Sequence, residues 1–100
     1  MIEVPLSGKY HFLSALVDDE DEWVMQWKWY AMIRPRTTYV SRLDVLSSGR
    51  KTSYLLHRVI MRRTLGNEPL YTEVDHRNGN GLDNRRANLR FAPAGLREPI

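Results

Sequence analysis

The chain has 100 residues, 42% of them hydrophobic and 10% aromatic, and carries 15 Lys and Arg against 12 Asp and Glu for a formal charge of +3. That length suits one compact domain with a true core and excludes wholesale disorder. The absence of cysteine excludes a disulfide scaffold or a thiolate zinc finger, and no apolar run approaches the ~18 residues of a spanning helix. With no signal-like stretch in MIEVPLSGKYHF, a cytoplasmic protein without a membrane partner is expected.

In chain order, residues 2–6 and 9–17 are β-prone and separated by Ser7-Gly8, which predicts a hairpin-like start. Asp18 and Asp19 are good helix caps, and the acidic run Asp18-Asp19-Glu20-Asp21-Glu22 complements a helix dipole, so a short helix is expected over about 20–28. It would place Trp23 and Trp27 on one face as core anchors. Residues 29–34, 38–45 and 51–55 read as strands broken by Arg34-Pro35-Arg36 and Ser47-Ser48-Gly49-Arg50, an antiparallel meander. Its covering helix is expected over 55–65, where Leu56, Val59 and Ile60 fall at helical spacing, with Gly66-Asn67-Glu68-Pro69 as the stop. The predicted class is therefore α+β.

Charge is uneven. Residues 1–50 hold six Lys and Arg against seven Asp and Glu, whereas residues 51–100 hold nine against five, nearly all of the excess being arginine. Arginine's planar fork suits phosphate, which points toward nucleic acid; a solvated basic face would look the same in composition.

The most specific stretch is Val74-Asp75-His76-Arg77-Asn78-Gly79-Asn80-Gly81-Leu82-Asp83-Asn84-Arg85-Arg86-Ala87-Asn88-Leu89-Arg90. A strand over 71–74 would deliver an Asp–His pair into a Gly- and Asn-rich loop, and Asp83 would cap a following helix with Asn84 and Asn88 on one face. Asp75 and the amide oxygen of Asn88 are hard ligands able to hold Mg²⁺ with water and phosphate. His76 has the near-neutral pKa needed to take a proton from attacking water. Each residue alone would also serve in an ordinary turn; the joint arrangement is what points to chemistry.

This segment resembles the HNH endonuclease family in its H-N-N form, a ββα-metal fold of phage and homing-type enzymes. Blocks upstream extend the likeness over about residues 9–91: Lys9-Tyr10, the run from Ala15 to Asp21, Gln26-Trp27-Lys28-Trp29-Tyr30-Ala31 and Leu56-His57-Arg58-Val59-Ile60-Met61. The resemblance implies one domain over 1–100, with a β-rich part over 1–54, a helix and the motif over 55–92 and a tail over 93–100. It implies His76 as general base, Asp75 and Asn88 as ligands of a divalent ion (Mg²⁺ ahead of Mn²⁺), and Asn84 as the residue that orders the loop. Hydrolysis of DNA phosphodiester bonds would leave a 5′-phosphate and a 3′-hydroxyl. His57 is read as structural and Arg58 as a phosphate contact.

The N-terminal strands also resemble the AP2-type DNA-binding sheet, which makes Arg34, Arg36 and Arg42 candidate contacts to double-stranded DNA. Arg77, Arg85, Arg86 and Arg90 join them from the motif. Arg34 and Arg36 share a strand face only if the strand runs through Pro35. One site cuts one strand, so a double-strand break would take a homodimer or two events. The alternative is a catalytically weak DNA-binding module of the same lineage, and a third reading is an interaction protein in which the motif only folds the C-terminus.

Overall fold

Alternating burial explains how the chain begins. In the computed structural model, which describes residues 1–65 and 72–93, β1 (Ile2–Pro5) pairs antiparallel with β2 (Ser14–Val17). Ala15 and Val17 point into the core with Val4. The strand expected over 9–17 is shorter because Gly8–Tyr10 forms a 3-10 turn instead. The expected helix stop at 66–69, the strand start at Tyr71 and the tail from 94 onward lie outside the described residues.

The meander forms as expected. β3 (Tyr30–Ile33), β4 (Thr38–Val45) and β5 (Lys51–Leu55) run antiparallel in the order β3-β4-β5, with Ala31 opposite Val40 and Ser41 opposite Leu55. The strand does not continue through Pro35: Arg34 and Arg36 lie in the connection between β3 and β4, where Arg34 N donates to Thr37 O. Proline has no N–H for a ladder, so the shared strand face for these two arginines is lost.

Helix α1 (Leu56–Leu65) follows β5 directly. Leu56 and Ile60, four apart and fully buried, join Val4, Leu6, Val17, Val24, Trp29, Val40, Val74 and Leu89 in the core. Arg63 lies over the Trp23 ring at 4.4 Å, and a cation in the last turn complements the helix dipole. The fold is α+β, small antiparallel sheets with a helix after the meander, closed by a hairpin of β6 (Thr72–His76) and β7 (Leu89–Pro93).

Two expected helices take other forms. Asp19–Gln26 is 3-10, interrupted at Asp21 (φ −101°, ψ 21°). Its acidic side chains are drawn into tertiary contacts: the buried Asp21 carboxylate accepts from Trp23 Nε1 and from the Arg86 guanidinium, and Asp18 accepts from the Arg86 backbone instead of capping its own turn. Trp23 and Trp27 still meet, edge to face at 6.3 Å, and Trp29 is wholly buried. After Asp83 there is only a 3-10 turn, Arg86–Asn88, before β7. Asn84 and Asn88 therefore do not share a helix face.

Candidate active site

The site is built on the β6–β7 hairpin. β6 extends two residues beyond the strand expected over 71–74, so Asp75 and His76 stand at its end opposite Arg90 and Leu89. The connecting loop turns through Gly79 at φ 75°, a left-handed angle that glycine adopts without penalty. Asn78 and Asn88 lock it. Asn88 Oδ1 accepts from Asn78 N, while its Nδ2 donates to Asn78 Oδ1 (2.9 Å) and to Asp83 O (2.8 Å). The Asn88 amide, 8% exposed, is thus committed to the loop.

The loop seats on the N-terminal strands. Leu16 N donates to Leu82 O and Asn84 N to Leu16 O, both at 2.8 Å, and Gly81 N donates to Thr37 Oγ1. A Cβ at Gly81 would lie 2.3 Å from Thr38 O and 3.1 Å from Tyr39 Cδ1, so only glycine permits this approach. Arg86 completes the clamp by gripping Asp21 through two bonds of 2.9 and 2.7 Å. These hydrogen bonds, with the opposite charge behind them, raise the Arg86 pKa further.

Asn84 is fully buried beneath His76. Its Nδ2 donates to Gly81 O, which turns Oδ1 toward His76 Nε2 at 2.8 Å. An amide oxygen only accepts, so the proton of the neutral imidazole sits on Nε2 and the lone pair on Nδ1. Burial lowers the His76 pKa from its ordinary 6.5, against the raising effects of the Asn84 bond and of Asp83 and Asp75. That lowering favours the neutral ring, the state a general base requires.

His76 opens on a cleft of about 1060 Å³ whose walls include Tyr39, His57, Glu73, Asp75 and the arginines Arg36, Arg58, Arg77 and Arg90. His57 is buried on α1 with its ring 4.5 Å from that of His76. Glu73 and Asp75 are two apart on β6, hence on one strand face. Among the described residues, no group of three or more His, Cys, Asp or Glu could hold a metal ion. A closed protein cage is absent there, but Mg²⁺ is commonly held by one or two carboxylates with waters and substrate phosphate, and this wall has that donor set.

The other expected DNA contacts are placed elsewhere. Arg42 lies between Trp27 and Tyr54, 4.5 Å from each ring, with a side-chain exposure of 15%; its charge is spent on packing. Arg86 is held by the acidic run. Arg85 makes a forked pair with the buried Asp83 at 2.8 Å, which lowers the Asp83 pKa. Arg34 is exposed and turns back to Ile33 O. Sequence reasoning missed Thr37, Tyr39 and Glu73. Only Glu73 had a local signal, its two-residue spacing from Asp75; the other two enter through chain crossings distant in sequence.

No helix among the described residues is long and apolar enough to cross a membrane. No curated protein and no solved structure matches this chain. Residues 54–94 match the family model of the HNH endonucleases, a segment that spans α1, β6, the loop and β7. That match supports the HNH endonuclease family for the segment that builds the site.

Proposed function

We propose that the chain is a divalent-metal-dependent endonuclease that hydrolyses phosphodiester bonds of double-stranded DNA, with His76 as the general base. The observation that carries the reading is the Asn84 Oδ1···His76 Nε2 bond, which leaves the Nδ1 lone pair as the proton acceptor in an arginine-walled cleft. Nδ1 takes a proton from water as its oxygen attacks phosphorus, the P–O3′ bond breaks, and the departing O3′ takes a proton from a solvent water, which leaves a 5′-phosphate and a 3′-hydroxyl. Arg36, Arg58, Arg77 and Arg90 hold the flanking phosphates by charge-assisted bonds.

Asp75 would hold the ion, with Glu73 as the second carboxylate and Asn88 as a brace of the loop. When bound, Mg²⁺ (or Mn²⁺) stabilises charge on the phosphate and on the leaving oxygen. One such site cuts one strand, and a homodimer or two successive events would sever both. The commitment of Asn88 to the loop favours one second reading, a DNA-binding module with weak cleavage.

Conversion of supercoiled plasmid to nicked and linear forms, with Mg²⁺ or with EDTA, separates the two. Parent protein should nick only with the ion, and His76→Ala should slow nicking by roughly 10²–10⁴ while DNA still binds. Equal rates for His76→Ala and parent would remove His76 from the mechanism. DNA binding by a folded parent that never cleaves would establish the module instead.

A further inference from the structure

Tyr39 belongs to β4 and lies outside the segment 54–94 that matches the family model, yet its ring borders the base. Its centroid is 5.9 Å from that of His76 and 5.6 Å from that of His57, and the two imidazoles are 4.5 Å apart. We propose that Tyr39 is a positioning residue which, together with His57, sets the plane of the His76 imidazole and hence the aim of Nδ1. The kinetic part of this inference rests on the nuclease reading above; its structural part does not.

The Asn84 bond fixes where Nε2 sits and which nitrogen is protonated. A single hydrogen bond leaves the ring free to swing about that contact, and a swing of the plane redirects Nδ1. Flat neighbours remove this freedom. Tyr39 meets His76 at 43° between ring planes and His57 meets it at 60°, so the imidazole is bounded by two rigid rings carried on different elements.

Tyr39 is held in its turn. Opposite Met32 on β3, it is registered by the central strand of the meander, and Gly81 of the loop lies near enough that a Cβ there would come within 3.1 Å of its Cδ1. The same loop carries Asn84 three residues on. Seating the loop on β4 therefore brings the ring and the hydrogen bond to His76 together.

A positioning role belongs to the ring face, so it survives loss of the phenol oxygen and fails when the plane is lost. The test compares Tyr39→Phe with Tyr39→Met and Tyr39→Leu, each first checked for thermal unfolding by circular dichroism. Steady-state cleavage of a labelled duplex with Mg²⁺ should show Tyr39→Phe at the parent level. The folded Met or Leu variant should lose kcat by roughly 10–10², the scale of a small misplacement, with KM unchanged.

NMR of the imidazoles gives a second readout that needs no cleavage. The Nε2–H tautomer set by Asn84 should persist in every variant, whereas the nuclear Overhauser contacts of the His76 ring protons, which report its plane, should be parent-like in Tyr39→Phe and altered in the Met or Leu variant. If the parent cuts no DNA, the nuclease reading fails and the NMR comparison still decides the positioning role. Parent-like kcat and ring contacts in a folded Met or Leu variant would overturn the proposal. So would a Tyr39→Phe variant as impaired as Tyr39→Leu, which would assign the effect to the hydroxyl, or failure of both Met and Leu variants to fold, which would make Tyr39 a purely structural residue.

Discussion

Asp83 and His76 show how single groups in this loop are tuned. His76 is held below its ordinary pKa mainly by burial, whereas Asp83 is held below its ordinary 3.8 chiefly by the hydrogen bonds of Arg85. For Asp83 the folded state binds the proton less readily than the unfolded chain. Its contribution to stability is therefore complete above the ordinary value of 3.8 and disappears as pH falls through the lower folded value. Urea unfolding followed across acidic pH should show this loss in the parent. Asp83→Asn, which cannot ionise, should be less stable at neutral pH and nearly flat over that window; an unchanged acid limb would mean that other carboxylates dominate it. Asn84 carries no charge and acts by hydrogen bonding, its Oδ1 accepting from the imidazole while its Nδ2 donates to Gly81 O.

At the scale of elements, the acidic 3-10 segment and the motif loop are joined by one arginine. The Asp21 carboxylate has no exposed surface and is served by Trp23 Nε1 and by two nitrogens of Arg86. Arg86→Ala would leave a buried charge with only the indole as partner. Breaking such a pair typically costs about 3–5 kcal/mol, and the remaining Trp23 bond puts this case at the lower end. Urea denaturation of Arg86→Ala should show that loss. Arg86→Lys should recover only part of it, because an ammonium cannot reproduce the fork. Stability unchanged in Arg86→Ala would mean that the clamp contributes nothing. The clamp also explains why the segment from Asp19 to Gln26 departs from an α-helix: the contacts that bend it at Asp21 lie 65 residues away.

For the whole molecule, a formal charge of +3 says little until the arginines are sorted by what they touch. Arg42, Arg85 and Arg86 are engaged by aromatic rings or carboxylates, whereas Arg36, Arg58, Arg77 and Arg90 surround the cleft. Duplex binding in EDTA should therefore weaken with salt, with a slope of log K against log salt that falls by roughly 0.9 for each phosphate contact removed. Gln substitutions at Arg58, Arg77 and Arg90 should lower the slope stepwise. Arg42→Gln should leave it unaltered, and an equal effect at Arg42 would show that the cleft is not where DNA lies.

Local pattern made much of this architecture readable. Period-two and period-four spacing located β4, β5 and α1, because an isolated stretch of chain already prefers the geometry that buries its own apolar side. Composition marked the loop from Asn78 to Gly81, whose side-chain-to-backbone bonds close within a few residues. The remaining decisions were made by contacts between distant segments. Asp18 and Asp21 gave up a helix start to bind Arg86, Asn88 was taken by Asn78, and Arg42 disappeared between Trp27 and Tyr54. Tyr39 came to His76 by way of sheet register. The sequence by itself determined the strands of the meander, the helix after them and the Gly- and Asn-rich turn, and where the Asp–His pair falls. Only the tertiary structure decided which side chains remain available for chemistry, since a polar or charged group's partner is set by what folding brings within hydrogen-bond reach.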